Sequence, residues 1–288
     1  MNVTIVGLGL IGGSIALDLK ALGHNIIGVD NSKKHIKQAL DLELVSEVSS
    51  LGDALQISDV IFLAIPINGI KKALPGILDK ISYKTTVIDV GSTKSSICKK
   101  VDKHEKRGNF VAAHPLAGTE YSGPKAALKD LFKGKSNIIC EEHMSDEKSL
   151  EKAIEIFNQL GMTTMFMNPE DHDKHMAYVS HLSHISSFML GQTVLEIEKD
   201  EKQIFNLAST GFESTVRLAK SSADTWVPIF ENNKENISDA LEQYIEYLNQ
   251  FRKAIDRGDR EKMHEMIQNA NNIRRILLGM KLNVMKLS

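Results

Sequence analysis

Six residues near the start of the chain, Gly7-Leu8-Gly9-Leu10-Ile11-Gly12, restrict its architecture more than any others. They follow a β-rich run, Asn2–Val6, and open a helix-like stretch, Leu10–Leu22. Between a strand and a helix, the first glycine permits a tight turn and the second lets the backbone approach a pyrophosphate. The third lets the helix pack closely on the strand, while the unpaired N–H groups of the helix start face the phosphates. Asp30 closes the next β-rich run, Asn25–Val29. A carboxylate there accepts hydrogen bonds from ribose hydroxyls and repels a 2′-phosphate, which favours NAD over NADP. The predicted cofactor residues are therefore Gly7, Gly9, Leu10, Ile11, Gly12 and Asp30, with Ser14 either a phosphate ligand or a packing residue.

Further β-rich runs recur at Val60–Ala64, Thr86–Asp89, Phe110–Ala113, Ser136–Cys140 and Thr163–Phe166. Helix-like stretches at Lys33–Leu42, Ile67–Lys80, Lys94–His104 and Glu147–Leu160 alternate with them. That order describes a doubly wound parallel sheet. Its ligands bind at the carboxyl ends of the strands, so the loop holding Pro66 should run under the cofactor. After about Asn168 the strand signal stops and the chain reads helical, with breaks near Ser209–Gly211, Ser221–Pro228 and Arg257–Asp259. The expected plan is a Rossmann-type α/β dinucleotide-binding domain over residues 1–168, followed by an all-α domain over 169–288. Ile237, Leu241, Tyr244, Ile245, Leu248, Phe251 and Ile255 form one helical stripe; Met263, Met266, Ile267, Ala270, Ile273, Leu277 and Met280 form another. Such stripes close a domain's own core or form a dimer interface. A homodimer through these C-terminal helices is expected.

A formal net charge of -2 and the lack of a long Lys/Arg run argue against a nucleic-acid partner. The two cysteines, Cys98 and Cys140, stand outside any C-x-x-C pattern, which excludes a disulfide framework and suits a reducing cytosol. No apolar run reaches the roughly eighteen residues a transmembrane helix needs, and the glycine-rich start lacks the positive region of a signal peptide. A cytoplasmic protein without a membrane partner is expected.

Two loops at strand ends carry groups fit for chemistry: Asp89-Val90-Gly91-Ser92-Thr93-Lys94 and His114-Pro115-Leu116-Ala117-Gly118-Thr119-Glu120. Oxidising an alcohol requires a base for the O–H proton as the C–H hydride leaves, and a histidine neutral near pH 7 suits that task. His114 is the candidate base, against the alternative of an incidental histidine. Ser92 can hydrogen-bond the imidazole or the substrate hydroxyl, or cap the helix that follows. His172, His175, His181 and His184 cluster with Asp173 and invite a metal reading. Their spacing is not H-E-x-x-H, and no metal is expected.

These motifs together resemble prephenate dehydrogenase. The likeness joins Gly7–Ser14, Asp89–Lys94 and His114–Glu120 to Val179-Ser180-His181-Leu182-Ser183-His184 and to Thr210-Gly211-Phe212-Glu213-Ser214-Thr215-Val216-Arg217-Leu218-Ala219. It covers roughly residues 1–232. The resemblance implies a dinucleotide-binding domain joined to a helical dimerisation domain. The implied reaction is oxidative decarboxylation of the small molecule prephenate to 4-hydroxyphenylpyruvate, with NAD accepting the hydride. By the same resemblance His114 deprotonates the ring hydroxyl, supported by Ser92. Arg217 holds a substrate carboxylate, because its planar fork suits that group. Thr119 and Glu120 lie in the matching loop, and Glu120 would pair with Arg217 in an empty site as an entrance gate. His181 and His184 would line the pocket with Asp173 ordering them, and Trp226 would close it or serve as a core residue. The usual motif has proline where this chain has Ser183. Arogenate dehydrogenase is the nearest alternative, and a non-catalytic NAD sensor a remoter one. Some relatives carry a chorismate mutase domain in front or an amino-acid-binding domain behind, and neither is expected here.

Overall fold

The apolar runs become strands because both of their faces are covered. In the computed structural model, which describes residues 1–198, 209–275 and 277, the first elements are β1 (Asn2–Val6), α1 (Leu10–Ala21), β2 (Asn25–Val29), α2 (Lys33–Asp41), β3 (Glu47–Val48) and α3 (Leu51–Ile57). There follow β4 (Val60–Leu63), α4 (Ile67–Lys80), β5 (Thr86–Asp89), α5 (Ser95–Val101), β6 (Phe110–Pro115), β7 (Ser136–Cys140), α6 (Glu147–Gln159) and β8 (Thr163–Met167). Successive side chains of a strand point to opposite faces. Thus Val60 and Phe62 pack with Ile15 and Leu19 of α1 and Ile156 and Phe157 of α6. Ile61 and Leu63 pack on the other face with Ile70 and Leu74 of α4 and Ile97 of α5.

The eight strands form one sheet in the order β3-β2-β1-β4-β5-β6-β7-β8. The first six are parallel, and their order reverses between β1 and β4, the crevice where a ligand binds in this topology. At the far edge β7 runs antiparallel to β6, with β8 parallel to β7. Only a short 3-10 turn, Pro124–Ala126, lies between β6 and β7, so no α-helix carries the chain back for a parallel crossover. β3 and α3 have no counterpart in the sequence reading. Two residues are too few to display alternation, whereas the start of α3 did have a signal: Ser50 Oγ accepts the Asp53 N–H at 3.2 Å.

Beyond β8 the described chain is helical: α7 (Pro169–Met176), a π-helical turn (Ala177–His181), α8 (Leu182–Glu198), α9 (Thr210–Val216) and α10 (Ala223–Asn232). Met176 of α7 and Ile229 of α10 are buried in the core beside α4 and α5. The break expected over Ser221–Pro228 shrinks to Ser221–Ser222, and Pro228 lies inside α10. The carbonyl it leaves unpaired belongs to exposed Asp224, where water can satisfy it. By compactness Met1–Lys234 form one unit and Glu235–Ser288 a second. The second contains most of α11 (Lys234–Asp256) and all of α12 (Arg260–Asn271). Met280 of the second apolar stripe lies outside the described residues.

Phe62 and Phe157 meet edge to face at 6.2 Å, both fully buried. Phe157→Ala is expected to cost about 3–5 kcal/mol, lowering the urea midpoint followed by circular dichroism; a shift below a fifth of that would contradict this packing.

Candidate active site

The glycine turn is shaped by steric necessity. Gly7 has φ +99°, and a Cβ there would fall 2.4 Å from the Ala64 carbonyl oxygen; at Gly12 it would fall 1.9 Å from that of Gly7. Gly9 is different, since nothing lies within 4 Å of a Cβ placed there. Gly9 also starts α1 without a side-chain cap, so the first amides, including those of Leu10, Ile11 and Gly12, have no side chain in the place of a phosphate oxygen. Asp30 ties the turn down: its carboxylate accepts the Leu8 N–H at 2.9 Å and the Ser32 N–H at 2.8 Å. A carboxylate has lone pairs beyond these for ribose hydroxyls. The residues present fit a dinucleotide. Ser14 proves to be a packing residue, its hydroxyl donating to the Leu10 carbonyl and accepting the Leu128 N–H. Pro66 is exposed at the start of α4.

His114 sits near the end of β6, at the carboxyl edge of the parallel strands. Its Nδ1 lies 2.8 Å from Nε2 of His172, whose own Nδ1 lies 2.8 Å from Oδ1 of Asp173. Asp173 also accepts the Lys94 and Ser95 N–H groups at 2.7 and 2.9 Å, which docks α7 on the start of α5. Burial pulls the Asp173 carboxyl up, but His172 and the two amides outweigh it and hold the pKa below its usual value. Beneath His114 the Lys94 side chain is fully buried, pairing with Asp89 and donating to the Ala113 carbonyl at 2.6 Å. Burial leaves the Asp89 carboxyl above its usual pKa although Lys94 pulls it down. The same burial, then the nearby His172, Lys94 and His181, hold the His114 imidazole well below its ordinary range. His114 is therefore neutral at pH 7, the state a base requires.

The helical segments supply the opposite wall. Trp226 of α10 stacks on His184 of α8 with ring centroids 3.5 Å apart, and it meets His181 edge to face at 6.0 Å. Asn233 Nδ2 donates to the Asp173 backbone carbonyl at 2.7 Å and lies 3.1 Å from His181 Nδ1. An amide nitrogen only donates, so His181 carries its proton on Nε2. That buried Nε2 has no hydrogen-bond partner among the described residues. Arg217 reaches Glu120 at 2.7 Å, the pair that the resemblance implies. Glu120's own amide, and then Arg217, hold its carboxyl below the usual range against some desolvation. Thr119 stands beside it, its hydroxyl accepting the Tyr121 N–H at 3.3 Å.

Two expectations need correction. Asp173 does not order His181 and His184 with its side chain, because its carboxylate is engaged by His172, Lys94 and Ser95. The ring of His184 bonds the Ser180 carbonyl, one helical turn back. Ser92 is half-buried on the loop after β5 and makes no hydrogen bond with His114 among the described residues; His172 takes that place. In the sequence His172 stands out only as a metal candidate, and no local pattern marks Lys94 or Asn233 as buried. No group of three or more potential ligand side chains that could hold a metal stands among the described residues.

Comparison with known proteins decides the family. Residues 15–165 match the profile of the prephenate dehydrogenase nucleotide-binding domain, and residues 168–269 match that of its dimerization domain. The chain belongs to the prephenate dehydrogenase family. It is 28% identical over 278 residues to prephenate dehydrogenase of Bacillus subtilis strain 168, spanning 95% of this chain and 75% of that one. Among solved structures, prephenate dehydrogenase from A. aeolicus, in complex with hydroxyphenyl propionate and NAD+, superposes with a TM-score of 0.86 at 31% identity, covering 96% and 98% of the two chains. Synechocystis arogenate dehydrogenase gives 0.75 at 29% identity, covering 96% and 100%.

Two stability effects are expected from this cluster. Burial, with His172 and His184 adding to it and Asp173 opposing, lowers His181 from 6.5 to about 4. Between those values the unfolded chain binds more protons than the native one. Stability should therefore fall as pH drops from 6.5 toward 4, by on the order of 3 kcal/mol from this residue. Urea midpoints across that range test it, and a flat profile would contradict it. Lys94→Ala leaves Asp89 buried and unpaired, at an expected cost of about 3–5 kcal/mol, which Asp89→Leu combined with Lys94→Met should largely recover. Equal losses in the single and double variants would argue against the pair.

Proposed function

We propose that this chain oxidatively decarboxylates prephenate to 4-hydroxyphenylpyruvate with NAD. The observation that carries the reading is His114, a neutral base at the carboxyl edge of the sheet whose Nε2 makes no hydrogen bond among the described residues. When bound, NAD supplies the hydride acceptor; Gly7, Gly9, Leu10, Ile11, Gly12 and Asp30 hold it, and Pro66 lies on the loop beneath. His114 Nε2 takes the ring hydroxyl proton as the C–H bond breaks, with Ser92 supporting the hydroxyl. The ring carboxylate then leaves as carbon dioxide and its bonding pair enters the ring. The proton held on His114 returns to the phenolate oxygen, so none is lost overall. Aromatisation drives the reaction downhill, and the protein contributes position and a proton acceptor.

Arg217 binds a substrate carboxylate by releasing Glu120. Arg217 is half exposed, and solvent screens such a pair, so exchanging the partner costs little. The unpaired Nε2–H of His181 offers a further donor, while His184, Thr119 and Trp226 wall the pocket and Asp173 supports it from behind. Residues 1–168 serve the cofactor and residues 169–288 serve the substrate and dimerisation. Ile245, Leu248, Ile255, Ile267, Ile273 and Leu277 each leave half or more of their surface exposed, which favours a homodimer interface over an internal core. No helix among the described residues is long and apolar enough to cross a membrane. The enzyme works in the cytoplasm with no nucleic-acid or membrane partner.

Near-ultraviolet absorbance of NADH tests the reaction, with prephenate and arogenate as substrates and NAD and NADP as acceptors. Turnover with prephenate and NAD is expected; turnover with arogenate alone would overturn the substrate, and silence from protein that binds NAD would overturn the reaction. His114→Asn should lower kcat by about 10²-fold or more while NAD affinity holds. Arg217→Ala should act mainly on KM, and a KM unchanged by that substitution would remove Arg217 from the carboxylate site.

A further inference from the structure

The row of groups behind His114 has a direction. Asp173 sits between two backbone amides and His172, and its carboxylate is ionised and can only accept hydrogen bonds. His172 must therefore carry its proton on Nδ1, toward Asp173, which leaves its Nε2 as a lone pair. That lone pair is 2.8 Å from His114 Nδ1, so His114 must be the donor in this contact. A neutral imidazole with its proton on Nδ1 has its lone pair on Nε2.

We infer that His172 and Asp173 are positioning residues that fix the tautomer of His114, forcing its basic nitrogen to face the substrate. The inference rests on His114 being the base. Without the row, the two neutral tautomers of His114 would compete, and the one protonated on Nε2 could donate to the substrate hydroxyl but not accept its proton. The packing leaves little freedom for a flip. His172 is fully buried, Asp173 is 2% exposed, and the His114 and His172 rings meet edge to face at 5.1 Å. The other charged or titratable neighbours of His114 do not compete for its Nδ1: Lys94 is committed to Asp89 and the Ala113 carbonyl, and His181 bonds Asn233. Once His114 accepts a proton, the Asp173 charge one ring away favours the imidazolium without a proton leaving the row.

Nitrogen NMR of enzyme labelled with ¹⁵N-histidine reads the tautomer without substrate, assigned by the signals lost in His114→Gln and His172→Gln. The expected result at neutral pH is Nδ1 protonated and Nε2 bare in both rings. Asp173→Leu removes the acceptor at the end of the row, so nothing holds the protons of His172 and His114 on Nδ1 and the Nε2-protonated tautomers should become populated. That variant should lose kcat by about 10²-fold or more with NAD affinity retained. His172→Leu should lose a similar factor, whereas His172→Gln keeps a carbonyl acceptor near the lost Nε2 and should restore most of it. A wild-type His114 protonated on Nε2 would overturn the inference by itself, even if every variant failed to fold. So would an Asp173→Leu enzyme with the tautomer unchanged. If the tautomers are as expected and prephenate is not turned over, the row stands and the assigned reaction falls.

Discussion

A single buried carboxylate joins the helical segments of the first unit to the edge of its sheet. Asp173 lies on α7, yet its two oxygens are filled by the Lys94 and Ser95 amides at the start of α5 and by the His172 ring. Burying such a charge is costly unless hydrogen bonds replace its water, and here three do. The contact fixes the angle at which α7 meets the sheet. It docks α7, the helix that runs on into the π-helical turn and α8. The backbone carbonyl of the same residue holds Asn233, which in turn orients His181. One residue thus aligns both walls of the site.

Beneath this latch lies a charge pair, Asp89 with Lys94, at the ends of β5 and its loop. Lys94 spends a donor on the carbonyl just before His114, so the strand end that carries the base is held from below. The buried ammonium also repels a proton from the imidazole. Burial and the His172 ring contribute more to that protonation state than the ammonium does. The two interactions divide the work: Lys94 holds the backbone of the base, and the His172–Asp173 row orients its ring.

At the mouth of the site the balance is different. Glu120 and Arg217 pair where water still reaches the guanidinium, so their attraction is screened and a competing carboxylate can displace one partner. Strong, dry interactions hold His114, and a weaker, wetter one joins Glu120 to Arg217.

Much of this was legible in the residues alone. The Gly7–Gly12 turn, Asp30 and the alternation of apolar runs sufficed for the sheet, its helices and the cofactor edge, because these depend on neighbours in sequence and on side-chain period. His114, Arg217 and Glu120 were found as motif residues, and their loops sit at strand or helix ends whose direction follows from the topology. The antiparallel turn at β7 was not legible, since strand direction depends on which edge the chain reaches. Nor were the partners of His114 and Asp173. His172 lies far along the chain from His114 and Asn233 far from His181, and no local pattern marks either pair. Only packing brings them within hydrogen-bonding distance. The sequence by itself determined which chemical groups the protein owns and the fold that carries them. Tertiary structure alone decided which of those groups touch, because burial and hydrogen-bond satisfaction act between residues that are distant in the chain.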